Sequence, residues 1–171
     1  MIFFLDIDGV MVHANPHKRV ELEADGFYRF NAIAVEILNS IIYKTKDKVV
    51  LSTSHRFKYD IEQWKAIFES RGLDLNFLSI IDNDNFLTNH RLTRKTEILD
   101  WIDRHDMEIK DVVIIDDDKS LNDLPKEFKE RLVLTNPYTG LNVETYLNLK
   151  NVIKRPVKKR LSMLGKKPKH I

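Results

Sequence analysis

Four short apolar runs constrain this chain more than anything else in it: IFFLD at 2–6, KVVLS at 48–52, DVVIID at 111–116 and RLVLT at 131–135. Each is too short for a helix, carries its apolar side chains at consecutive rather than alternate positions, and ends on a polar residue. Strands of that kind are buried on both faces, as in a parallel sheet covered by helices. The segments between them have helical spacing. Ile33, Val35, Ile37, Leu38, Ile41 and Ile42 predict a helix over 31–46. Ile61, Trp64, Ile67 and Phe68 predict one over 58–71 that stops at Gly72, and Ile98, Leu99, Trp101 and Ile102 one over 93–105. A strand over 75–81 and a last helix over 142–153 complete the alternation. The expected fold class is α/β, a three-layer, doubly wound, mainly parallel sheet.

Sheets of this kind bind ligands at the carboxyl ends of their strands. Here those ends carry Asp6 and Asp8, then Ser52, Thr53 and Ser54, then Asp116, Asp117 and Asp118. Carboxylates this crowded raise one another's pKa, and a hard divalent cation removes the conflict. Mg2+ is the expected cofactor, held by Asp6 and one of Asp116 or Asp117. Asp8 lies past the strand end, and Gly9 lets the backbone turn sharply there. An aspartate beside Mg2+ can act as a nucleophile and form an aspartyl-phosphate, while a second acid protonates the leaving oxygen and then activates water. The Ser52 hydroxyl, the Thr53 N–H and a nearby Lys or Arg can hold the non-bridging oxygens.

These residues resemble the haloacid dehalogenase-like phosphohydrolases over about residues 2–141. DIDGV looks like the first motif of that family, which implies Asp6 as nucleophile and Asp8 as acid/base. VVLSTS looks like the second and puts Ser52 on the phosphate. VVIIDDDKS looks like the fourth, so that the implied metal site is made of Asp6, Asp8, Asp116 and Asp117. The third motif needs a cation before the helix that leads to the fourth. RLTRKTEILDWI offers Arg91, Arg94 and Lys95, of which Lys95 is the family's usual residue type and is preferred to Arg94. A narrower resemblance, carried by STSHR, RKTEILDWI, IIDDD and LVLTNPYTGL, is to the haloacid dehalogenase-type domains of RNA-repair proteins. His55 stands where Trp is usual there, Lys95 where Gly is usual and Asn136 where Asp is usual. The gaps from Gly9 to Ser52 and from Ser54 to Lys95 leave no room for a large cap domain, which implies a Rossmann-like core with an open site. The implied substrate is a phosphate on a large molecule, such as a nucleic-acid end.

Charge separates the chain into two parts. Residues 150–171 hold nine Lys and Arg and no acid, whereas residues 1–149 hold 19 bases against 26 acids, a net of −7. The expected organisation is a phosphatase domain over 1–149 and a basic C-terminal tail over 150–171, either a solvated tail or an arm that holds RNA or DNA ends. There is no cysteine, so disulfides and thiolate metal sites are excluded. No signal peptide or membrane span is expected, and the reading is of a cytoplasmic protein. A small-molecule phosphatase acting on nucleotides or sugar phosphates, and a non-catalytic nucleic-acid-binding protein on the same fold, are the alternatives.

Overall fold

A computed structural model describes residues 1–82, 92–158 and 161–162. Arg91 and the end of the basic tail lie outside these residues. The strands β1 (Ile2–Leu5), β2 (Lys48–Leu51), β3 (Phe77–Ile80), β4 (Val112–Asp116) and β5 (Leu132–Leu134) form one sheet in the order β3-β2-β1-β4-β5. Every pairing is parallel, with Leu5 level with both Leu51 and Ile115. Helices α1 (Ala32–Ile41), α2 (Ile61–Ser70) and α5 (Val143–Ile153) cover one face over Phe3, Leu5, Val49, Leu51, Val113 and Ile115. Helix α3 (Arg94–Arg104) and the single turn α4 (Lys126–Lys129) cover the other, over Phe4, Val50 and Ile114. Trp64 is buried on the first face and Trp101 on the second.

The helices begin where short polar side chains satisfy free amides. Asn31 caps α1, Thr93 caps α3, and Asp60 with Gln63 and Asn142 with Thr145 form capping boxes on α2 and α5. The right-handed crossovers β1–α1–β2 and β2–α2–β3 put α1 and α2 on one face, and the return to β4 puts α3 on the other. The order of strand addition therefore reverses between β1 and β4, and the crevice opens at the carboxyl ends of those two strands.

No cap domain covers this edge among the described residues. The insertion after β1 is a small hairpin bridged between Leu22 and Tyr28. Phe27 buries itself among Phe30, Tyr59 and Trp64. Arg71, at the end of α2, grips Asp25 and donates to the Tyr28 carbonyl at 3.0 Å.

The expected division at 149/150 falls inside α5, which runs to Ile153. Beyond it the described residues 154–158 and 161–162 stay on the body. The Arg155 guanidinium pairs with the buried Asp47 carboxylate and donates to the Ile41 carbonyl at 2.6 Å. The Lys158 amide bonds the Ser40 carbonyl, and Leu161 is buried. A buried carboxylate needs compensating donors. Burial pushes Asp47 up, but hydrogen bonds from Arg155, the Tyr43 amide and the Met1 ammonium together hold it below its ordinary value. This anchor sits at the amino ends of β1 and β2, the edge opposite the carboxylates. Among the described residues no helix is long and apolar enough to cross a membrane.

Candidate active site

The parallel register delivers Asp6, Ser52 and Asp116 side by side. The Asp6 amide bonds the Ile115 carbonyl at 3.1 Å and the Ser52 amide the Leu5 carbonyl at 3.0 Å. All three side chains are buried. Asp6, Asp116 and Asp117 bring one carboxylate oxygen each within 4.8 Å of the others.

Asp116 is held from three directions. Its Oδ2 accepts from Ser52 Oγ at 3.2 Å and from Arg94 Nη1 at 2.8 Å, and its Oδ1 accepts from the Asp118 amide at 3.0 Å. Asp6 Oδ1 accepts from the Ile7 amide at 2.7 Å, and the Thr53 side chain also bonds this carboxyl. Gly9 is the reason the third acid can approach. Its φ is +69°, and a Cβ there would lie 2.1 Å from Asp117 Oδ2. The Gly9 carbonyl accepts from Thr135 Oγ1 at 2.7 Å, which ties the turn to the end of β5.

Burial pushes the Asp6 carboxyl up and the Asp8 charge adds to this, against the pull of Arg94, the Ile7 amide and Thr53. Burial and the Asp6 charge raise Asp116 in the same way and carry Asp117 to about 6. Three carboxyls held up by burial and by one another form an all-oxygen donor set that suits a hard divalent cation. Asp8, expected among the metal ligands, is not in this cluster. Its Oδ2 faces His55 Nε2 at 2.8 Å instead.

Of the two basic residues at the start of α3, Arg94 reaches the acids. Its Nη1 lies 3.7 Å from Asp6 Oδ2 as well as 2.8 Å from Asp116 Oδ2. Arg94, rather than the Lys95 preferred from the sequence, is thus the residue that the fold brings to the acids. Thr93 caps α3, so Arg94 is its first residue, and the next position is turned by about 100° around the helix. The Lys95 amide bonds Ser120 Oγ at 3.2 Å. A cation at a helix amino end opposes the helix dipole. Burial also works against the Arg94 charge, yet Asp116, Asp6 and Glu97 together raise its pKa.

Arg56 and Glu97 support this arrangement, and neither is recognisable as doing so from the sequence. Arg56 is buried, donates to the Ile81 and Thr53 carbonyls, and pairs with Glu97 at 2.6 Å. Glu97 in turn lies 3.7 Å from Arg94 Nε. The alternating charges Arg56, Glu97, Arg94 and Asp116 thus join the loop after β2 to β4. His55 was legible only as a departure from the RNA-repair pattern.

The arrangement brings the Asp6 carboxylate, a second acid two residues on, hydroxyl and guanidinium groups, and three acids that could hold a metal ion to one crevice. No individual curated protein matches the sequence. The family described as the HAD domain in Swiss Army Knife RNA repair proteins matches residues 2–146. With the five-stranded parallel core and the acids at its β1 and β4 ends, that match, over most of its length, means that the chain belongs to this family of haloacid dehalogenase-type (HAD) domains.

Proposed function

We propose that this HAD-type phosphohydrolase is a Mg2+-dependent phosphomonoesterase that works through an aspartyl-phosphate on Asp6 and acts on a terminal phosphate of nucleic acid. The observation that carries the chemistry is the convergence of Asp6, Asp116 and Asp117 with Arg94 at the point where the strand order reverses. A cation held by the three acids would neutralise them and polarise the phosphoryl group. Ser52, Thr53 and Arg94 hold the non-bridging oxygens; Lys95, one residue further on, has the smaller part. An Asp6 carboxylate oxygen attacks phosphorus as the bond to the leaving oxygen breaks, and the Asp8 carboxyl gives its proton to that oxygen. Asp8, now a carboxylate, takes a proton from water, whose oxygen attacks phosphorus and releases Asp6 and inorganic phosphate.

The open edge supports a large substrate, because among the described residues the small hairpin leaves the crevice without a lid of domain size. The RNA-repair proteins in which this family of domains occurs favour nucleic acid over other large substrates. The test is phosphate release from p-nitrophenyl phosphate with and without Mg2+, followed by RNA and DNA carrying 5′- or 3′-phosphates beside nucleotides, sugar phosphates and phosphopeptides. Asp6→Asn should retain no more than a few per cent of the wild-type rate. Full activity in excess EDTA would reject the cation, and a preference for free nucleotides or sugar phosphates would reject the nucleic-acid substrate.

A further inference from the structure

His55 joins the second acid of the site to the hairpin beside it. Its Nε2 lies 2.8 Å from Asp8 Oδ2, and its amide bonds Thr53 Oγ1 at 3.3 Å. The imidazole meets Phe27 and Tyr28 edge to face, with ring centroids 5.8 and 5.4 Å away. Those two rings are fixed in turn. Phe27 is buried, the Arg71 guanidinium lies over Phe27 and Phe30, and Arg71 also donates to the Tyr28 carbonyl. Tyr28 is near enough to Asp8 for its phenol to be raised, first by burial and then by that charge. The ring is therefore packed against the hairpin and presents a nitrogen to the carboxylate. Asp8 itself sits past the end of β1, half-exposed, beside an isolated backbone bridge to Val12.

We propose that His55 is a positioning residue for Asp8: its Nε2–H donates to Oδ2 and locks the carboxyl rotamer, so that Oδ1 carries the proton to the leaving oxygen. The hairpin orients the imidazole through Phe27 and Tyr28, and so sets the acid from a distance. A donor on one oxygen leaves the other for proton transfer, and it serves equally when Asp8 next takes a proton from water. Trp, usual at this position in the RNA-repair pattern, would fill the space with a larger ring whose nitrogen is placed differently. The inference rests on the proposed acid/base role of Asp8.

Two variants separate the hydrogen bond from the packing. His55→Phe keeps a ring against Phe27 and Tyr28 and removes the donor; His55→Gln keeps an N–H donor and removes the ring. The readout is kcat/KM, which reports the steps up to departure of the leaving group, on p-nitrophenyl phosphate and on an alkyl phosphate monoester. p-Nitrophenolate leaves without much help from a proton, whereas an alkoxide needs it. His55→Phe should lower kcat/KM on the alkyl ester about tenfold or more and on p-nitrophenyl phosphate about threefold or less. His55→Gln should restore most of the loss. In an Asp8→Asn background, His55→Phe should cost nothing further, since it acts through Asp8. Equal losses on both substrates, no loss at all, or a full additional loss beside Asp8→Asn would overturn the inference while the wild type remains an active phosphatase. A wild type inactive on every phosphate ester would overturn the proposed function, and this inference with it.

Discussion

Arg94 holds Asp116 by a 2.8 Å contact between Nη1 and Oδ2, from the first residue of a helix whose dipole opposes its charge. A cation kept in such a place is stabilised by the acids around it, and the same acids gain from its presence. Arg94→Ala should lower kcat/KM on p-nitrophenyl phosphate by about 100-fold, the usual cost of removing a donor to developing phosphoryl charge. Lys95→Ala should cost less than about threefold in the same assay. Equal effects of the two changes would return the third-motif role to both residues.

Gly9→Ala should damage the cation site specifically. The new methyl group would fall on Asp117 Oδ2, in a backbone conformation with φ of +69° that favours glycine. The expected result is a loss of stability of about 1–3 kcal/mol, together with a raised Mg2+ requirement. Urea unfolding and a Mg2+ titration of activity measure the two parts. A variant with the wild-type Mg2+ dependence would show that Asp117 does not face the cation.

The raised carboxyls make a signed prediction about pH. Asp117 titrates at about 6 when folded, against an ordinary value near 3.9 when unfolded, and Asp6 and Asp116 are raised as well. The folded protein thus binds more protons than the unfolded chain over this range. Stability of the cation-free protein should fall as pH rises through about 4 to 6, with the Asp117 cost complete above that. Mg2+ binds the ionised acids and should raise the thermal midpoint more at pH 8 than at pH 5.5. A midpoint indifferent to Mg2+ at both values would sink the cation site.

Arg155→Ala should destabilise the fold without touching the chemistry. It removes the largest of the influences that hold the buried Asp47 below its ordinary value, and about 2–3 kcal/mol is expected. In the wild type that contribution is present above the unfolded aspartate value and is lost as pH falls through the depressed one, so acid unfolding should begin at higher pH in the variant. Denaturant unfolding across pH tests both parts. Kinetics of the folded variant on p-nitrophenyl phosphate should match wild type.

Whether the tail is a nucleic-acid arm or a solvated end is best tested by truncation after Ser162, because Leu161 is buried and the Ser162 amide bonds Glu36. This removes Lys166, Lys167 and Lys169. Each lost phosphate contact should lower the log–log salt slope of RNA or DNA binding by about 0.7–0.9. An unchanged slope would make these lysines a solvated end. The anchor of Arg155 lies at the edge opposite the acids, so a bound strand that also entered the crevice would have to pass along the body.

Local physics made most of the fold legible. Apolar runs such as VVII at 112–115 announce a buried strand because each residue must bury its side chain whichever face it takes, and spacing such as that of Ile61, Trp64, Ile67 and Phe68 announces a helix with one apolar face. The acids at the ends of β1 and β4 were readable for the same reason: strand ends and chain order are properties of short stretches. What needed the tertiary structure were relations between distant stretches and the rotation of single positions. Arg94 and Lys95 are adjacent in sequence and about 100° apart on the helix, so the Thr93 cap and the packing of α3 choose between them. The parallel register of β1 with β2 brings His55 to Asp8, and the approach of the β1 turn to β4 leaves room for no side chain at Gly9. A run of positive charge looks like a solvated tail until a buried carboxylate is found to need it. Asp47 is that carboxylate, and its burial follows from the packing of α1, β2 and the segment after α5 together.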